Sequence, residues 1–113
     1  MSIDNLPKPY ETFMQRFPEV WKAYNEMGQA AHAEGPIDQK TRELVKLAIA
    51  VSARYEGAVH SATRKALAAG ATTEEIYQVL LLALPTVGFP TTVAAMTWVD
   101  DILENAKLAR QWP

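Results

Sequence analysis

The sequence predicts an all-α protein, and three observations support this prediction. Apolar residues recur at three- and four-residue spacing along most of the chain, no segment shows the pattern of a strand, and Gly or Pro separates the periodic segments. The 113 residues are enough for one hydrophobic core. We therefore interpret residues 1–113 as a single domain of about six helices.

The N-terminal part of the chain predicts two helices. Residues 10–17 form a short one, and Pro18 can open the next because the first residues of a helix need no partner for their backbone N–H. Apolar residues then recur at helical spacing from Val20 to Ala31, until Gly35-Pro36 ends the pattern.

The middle of the chain predicts a third and a fourth helix. Asp38 is a plausible N-cap for the third, which runs to about Ser52 with one apolar stripe. The fourth extends from about Tyr55 to Ala69. Gly70 follows it and can take the positive φ that commonly ends a helix.

The last two predicted helices are marked by a cap and by a break. Thr72 and Glu75 have the spacing of a capping box for the fifth helix, EEIYQVLLLALP, which is apolar nearly all round. Such a helix belongs in a core or at a subunit contact. Pro and Gly residues between Pro85 and Pro90 predict a break, and the last helix is expected over residues 91–106.

Composition excludes several classes of function. A net charge of −2 with interspersed charges gives no basic surface for nucleic acid, and the chain has no cysteine for disulfides, thiolate nucleophiles or thiolate metal ligands. The start MSIDNLPKPY is not a signal peptide, and the longest apolar run, Val79–Pro85, is too short to cross a membrane. The prediction is a cytoplasmic protein without nucleic-acid or membrane partners.

Three segments in order, RELVKLAIAVSA, RKALAAGATTEEI and VLLLALPTVGFP, carry a family resemblance over about residues 38–105. Together they resemble the carboxymuconolactone decarboxylase family, which includes the alkylhydroperoxidase D-like proteins. The resemblance implies a helical fold that assembles into a trimer or hexamer. The short chain and the apolar fifth helix independently favour a homo-oligomer, because both leave apolar surface to bury between subunits.

The resemblance also implies positions for an active site. In the peroxidatic branch of the family, a Glu, a Cys-x-x-Cys pair and a His carry the reaction, and the matching positions here are Glu43, Tyr55, Ala58 and Ala62. Only the Glu is retained. Thiol-based peroxide reduction needs an attacking and a resolving thiol, so a family-type alkylhydroperoxidase or peroxiredoxin activity is disfavoured.

The decarboxylase branch lacks the cysteine pair but keeps a His at the position of Ala62. His60 lies two residues earlier, and two residues are about 200° of rotation on a helix, so His60 cannot simply replace the missing imidazole. The implied function is cofactor-independent lyase or proton-transfer chemistry on a small organic acid or carbonyl compound.

Candidate catalytic roles follow from residue chemistry. Glu43 is the candidate general base, His60 the acid or orienting residue, and Tyr55 a hydroxyl donor to developing negative charge. Arg54 or Arg64 can hold a substrate carboxylate. The alternatives are a surface Glu43 paired with a lysine one turn on, and a His60 that lies at the surface or an interface.

A small apolar pocket is the other part of the predicted site. Ala58 and Ala62 share one helical face with Tyr55, and Phe89 follows the break that borders the pocket in the family. Close helix packing is the alternative explanation for the alanines. No metal is predicted, because two His residues without a clustered carboxylate make a poor metal site. No cofactor is predicted, because the chain has no Gly-rich phosphate loop and no dinucleotide fingerprint. A non-catalytic, oligomeric ligand-binding relative is the alternative function.

Overall fold

The computed structural model describes residues 8–111, and side chains from residue 8 to residue 105. This part of the chain is all-α, as predicted, and contains no strand. The helices are α1 (Lys8–Arg16), α2 (Pro18–Ala33), α3 (Gln39–Ala53), α4 (Glu56–Ala68), α5 (Thr73–Val87) and α6 (Phe89–Gln111).

Contacts group the chain into two compact units, Met1–Pro36 and Ile37–Pro113. The first unit contains α1 and α2. Pro18 lies in the first turn of α2, as predicted, and the rings of Phe13 and Phe17 contact each other at a centroid distance of 5.2 Å. No residue of either helix is buried.

The second unit contains α3 to α6 packed around a common core. Each of the four helices contributes fully buried side chains, and the largest are Leu47, Val51, Val59, Thr63, Ile76 and Val99. The buried Thr63 hydroxyl donates to the backbone oxygen of Val59 at 2.7 Å, so its polar group is satisfied within α4.

The turn between α3 and α4 has a left-handed residue. Asp38 caps the start of α3 by accepting a hydrogen bond from the Thr41 backbone N–H at 3.2 Å, as predicted. At the other end Arg54 has φ 59° and ψ 36°. Its guanidinium Nη1 donates to the Thr91 hydroxyl at 2.7 Å, which ties this turn to the start of α6.

The turn between α4 and α5 matches the prediction in detail. Gly70 has φ +93°, and Thr72 and Glu75 form the capping box, with the Thr72 hydroxyl accepting from the Glu75 backbone N–H at 3.1 Å. The Glu75 carboxylate accepts from the Thr72 N–H at 2.8 Å and pairs with Lys40 of α3 at 2.9 Å. The Thr72 N–H and then Lys40 lower the pKa of Glu75.

The junction of α5 and α6 differs from the prediction. Pro85 does not end α5, which continues to Val87, because a proline in the last turn removes a single intrahelical bond. The chain reverses at Gly88, with φ +91°. Helix α6 begins at Phe89 rather than Thr91, since Pro90 is tolerated in a first turn, and it extends beyond residue 106 to Gln111.

No helix within residues 8–111 has both the length and the apolar character needed to cross a bilayer.

Candidate functional site

Glu43 is the buried charged residue of the predicted site. It lies in the second turn of α3 and is only 5% exposed. Its Oε2 atom receives no hydrogen bond from any of the described residues. A buried carboxylate oxygen without a donor costs free energy, so the burial of Glu43 does not stabilise the fold. The structure therefore places Glu43 in the interior rather than on the surface, and makes it the leading functional candidate.

Lys65 of α4 has a lowered pKa, and the sequence analysis did not select this residue. It is partly buried, and burial is the main cause that lowers its pKa, with Lys46 adding to the effect. The charge of Glu43 opposes this change. The spacing in the sequence offered a hint, because Lys65 follows Ala62 by three residues and so shares its side of the helix.

The alanine face of α4 packs against other helices. Ala66 is fully buried, Ala62 is 8% exposed, and Ala58 lies partly buried against the same core. Small side chains here let α4 approach its neighbours closely, which agrees with the packing explanation. The position that holds a His in the decarboxylase branch is thus a core alanine.

The two aromatic candidates lie at helix ends. Tyr55 precedes α4 as its N-cap residue and is 68% exposed, so it does not share a helical face with the alanines as expected. Phe89 is the first residue of α6 and is also exposed. No hydrogen bond links the Tyr55 hydroxyl to the Oε2 atom of Glu43.

The two arginine candidates have different surroundings. Arg54 donates to the Thr91 hydroxyl and so supports the turn before α4. Arg64 is exposed on α4, and its charge contributes to lowering the pKa of Lys65.

His60 pairs with a carboxylate on α6. Its Nε2 lies 3.0 Å from Asp101 Oδ2, and its side chain is 25% exposed. This pair was not foreseen, because Asp101 is 41 residues away in sequence. A carboxylate partner holds the imidazole in one orientation.

A second carboxylate on α6 binds a tyrosine. The Tyr77 hydroxyl of α5 donates to Asp100 Oδ1 at 2.5 Å, and this bond is the main cause that raises the pKa of Tyr77 to about 12. Tyr77 therefore stays protonated at neutral pH. The Asp100 and Asp101 contacts connect α6 to α5 and α4.

Metal binding has no structural support in the described part of the chain. No group of three or more His, Cys, Asp or Glu side chains there is arranged to hold a metal ion.

Known proteins resemble this chain over most of its helices. The sequence profile of the carboxymuconolactone decarboxylase family matches residues 18–101, so the match takes in α2 as well as the segments of the second unit. A crystal structure of an apo carboxymuconolactone decarboxylase family protein from Legionella pneumophila has a similar fold. The TM-score is 0.76 at 27% identity, covering 85% of this chain and 86% of that one.

Two relatives at the sequence level are uncharacterized proteins. One from Methanocaldococcus jannaschii is 31% identical over 96 residues, which are 85% of this chain and 87% of the relative. One from Haemophilus influenzae is 32% identical over 62 residues, which are 55% of each protein, so the match spans about half the length of that relative.

Proposed function

Because the chain belongs to the carboxymuconolactone decarboxylase family, we propose that it is a cofactor-independent enzyme that transfers protons on a small organic acid or carbonyl compound. The reaction class is a lyase of the decarboxylase type. Thiol-based peroxide reduction does not fit, since the chain contains no cysteine.

The observation that supports this proposal is the buried Glu43 carboxyl group. Its Oε2 atom has no donor among the described residues, so its capacity to accept a hydrogen bond or a proton is unused there. In a site that excludes water, such a group is suited to general base catalysis. We assign proton abstraction to Glu43, because Tyr55 is exposed and His60 is bonded to Asp101. Supporting roles of Tyr55 and His60 stay predictions.

The test is the substitution Glu43→Gln, which keeps the shape of the side chain and removes its basicity. On a panel of lactone acids that the wild-type protein turns over, we expect kcat to fall by about 10²–10⁴-fold, the usual contribution of a general base. Turnover is measured by loss of substrate absorbance and by release of carbon dioxide.

The matched control is Glu74→Gln, which makes the same change on an exposed residue of α5. It should retain wild-type kcat. An unchanged kcat in Glu43→Gln would remove Glu43 from the mechanism.

A non-catalytic ligand-binding protein is the second candidate function. It is favoured by one observation, that the position of the decarboxylase His is held by the buried Ala62. Wild-type protein that binds members of the panel without turning any of them over would support this candidate.

We also propose that the chain forms a homo-oligomer. Large apolar side chains are exposed along the helices of the second unit, including Leu81, Leu82, Phe89, Val93 and Met96. Burial of such side chains between subunits is a common reason for assembly.

A further inference from the structure

We propose that helix α2 packs against α2 of a second copy of this chain, as an antiparallel pair centred on Tyr24. This contact is distinct from the exposed apolar side of α5, and it does not depend on the proposed reaction. It gives a partner to the first unit, in which neither α1 nor α2 has a buried residue. Helices of this length gain most of their stability from packing an apolar face against another element.

Helix α2 carries a row of apolar side chains with the spacing of a coiled coil. The row begins at the N-cap residue and alternates steps of three and four residues, which keeps its members on one side of a helix. All five members are exposed, the first four of them by more than half, and we call this row the α2 stripe: Phe17, Val20, Tyr24, Met27 and Ala31. Two helices with this spacing can interlock their side chains along the row.

The partly buried side of α2 is a different one. Trp21, Asn25 and Gly28 follow each other at helical spacing and are partly buried, about 100° around the helix from the stripe. The Trp21 ring also contacts the Tyr24 ring at a centroid distance of 6.0 Å, which supports the tyrosine from one side. The contacts within the single chain therefore leave the stripe open.

The charged residues of α2 lie away from the stripe. Glu19, Lys22 and Glu26 are exposed on the other side of the helix, so no charge interrupts the apolar row. A membrane surface is a poorer partner for this helix than a protein, because helices that lie on membranes are rich in Lys and Arg on the polar side. Here that side carries more glutamate than lysine.

The charges favour the antiparallel orientation of two α2 helices. Arg16 precedes α2 and Glu34 follows it, and both are exposed. An antiparallel pair brings the start of one helix beside the end of the other, so each Arg16 lies near the Glu34 of the second copy, whereas a parallel pair brings like charges together. Lys22 and Glu26 are equally far from Tyr24 on its two sides, so they also come level with each other only in the antiparallel pair.

The stripe is also complementary to itself in size. A two-fold contact needs a surface that matches its own copy. With Tyr24 at the centre, the large Phe17 of one helix lies level with the small Ala31 of the other. Val20 and Met27 come within one residue of the same level. Large and small side chains thus alternate across the pair, as close packing of helices requires.

Single cysteines test the contact, because the chain has none of its own. Tyr24→Cys should form a disulfide between two copies under mild oxidation, since residues at the centre of the pair lie within the reach of a disulfide. The control Glu26→Cys places an exposed thiol at nearly the same level on the charged side. It should cross-link about tenfold more slowly or less, because pairing does not raise the local concentration of its thiol partner. Non-reducing electrophoresis and mass spectrometry measure the product.

Two further variants test the orientation. In an antiparallel pair, the two thiols of Phe17→Cys lie about 21 Å apart along the helices, and so do those of Ala31→Cys. We expect neither variant to cross-link alone, and the two variants expressed together to form the mixed disulfide. Rapid cross-linking of each variant alone would indicate a parallel pair and overturn the proposal.

A fluorophore distinguishes a second copy from a membrane as the partner. It is attached to Ala23→Cys, at an exposed position beside the stripe. A blue shift of its emission as the protein concentration rises, in the absence of lipid, supports the proposal. A shift that occurs only with vesicles of phosphatidylcholine and phosphatidylglycerol would overturn it, as would a Tyr24→Cys variant that cross-links no faster than Glu26→Cys.

The cross-linking of Tyr24→Cys is repeated with Leu82→Glu in the same chain. It should persist, because α5 is not part of this contact, and its loss would show that α2 forms no interface of its own. None of these measurements depends on turnover. Failure of the α2 contact is therefore distinguishable from failure of the proposed reaction and from failure of the assembly through α5.

Discussion

Arg54 has a backbone conformation that is unfavourable for a residue with a side chain. It is the single non-glycine residue with positive φ in the described part of the chain. The left-handed region costs about 1–2 kcal/mol for residues other than glycine. The hydrogen bond from its guanidinium to Thr91 offsets part of this cost and explains why arginine is tolerated at the end of α3.

Two substitutions at this position separate the backbone effect from the side-chain effect. Arg54→Ala and Arg54→Gly both remove the bond to Thr91, but glycine also relieves the left-handed strain. We therefore expect Arg54→Gly to be about 1 kcal/mol more stable than Arg54→Ala in urea unfolding. Equal stabilities would show that the turn relaxes when the side chain is removed.

Glu43 and Lys65 show which properties of single residues could be predicted from the sequence and which could not. Glu43 was selected because it is the one position of the family's peroxidatic set that this chain retains. Its burial and its unpartnered oxygen depend on how α3 packs, which the spacing of apolar residues does not specify. The partial burial of Lys65 was not predicted, because a lysine on an amphipathic helix normally indicates a solvated face.

At the scale of elements, local chemistry predicted the start of α5 better than its end. The capping box of Thr72 and Glu75 forms as its spacing predicts, since it needs only residues within one turn. Pro85 does not end the helix, because a proline in the last turn removes a single intrahelical bond. The helix continues to Val87 and stops at Gly88, where φ is positive.

The contribution of the cap can be measured with a matched pair of variants. Thr72→Ala removes the hydroxyl that accepts the Glu75 N–H and should lower the free energy of unfolding by about 1 kcal/mol. Thr73→Ala makes the same chemical change one residue later, at an exposed position, and should be nearly neutral. Denaturant unfolding of both variants provides the comparison, and similar losses would argue against a specific cap.

Helix α6 collects long-range polar contacts from three other parts of the second unit. Thr91 accepts from Arg54, Asp100 from Tyr77, and Asp101 lies against His60. These contacts join residues that are between 23 and 41 positions apart. Helical periodicity assigns each residue to a face but does not pair the faces, so none of these contacts was predictable.

At the scale of the whole molecule, the second unit leaves apolar side chains exposed. Leu82 of α5 is 68% exposed, although Val79 and Leu80 of the same helix are buried. One apolar side of α5 thus packs in the core, and its other apolar side is exposed in the single chain. This is the surface on which self-association is expected.

The prediction is an oligomer at micromolar concentration in sedimentation velocity. Leu82→Glu places a charge on the exposed apolar side of α5 and should shift the protein towards smaller species. Thr73→Glu adds the same charge at the start of the helix, where an acidic residue is favourable, and should leave the assembly intact. A wild-type protein that sediments only as a monomer would contradict the proposal.

The sequence alone determined the helical class, most helix starts and the loss of thiol chemistry, because periodicity, caps and composition are properties of neighbouring residues or of residue type. The tertiary structure decided which polar groups are buried and which are paired. The Glu43 Oε2 atom without a donor among the described residues and the contact of His60 with Asp101 both depend on the packing of separate helices. Packing brings together residues that are far apart in sequence, so no local sequence pattern predicts these contacts.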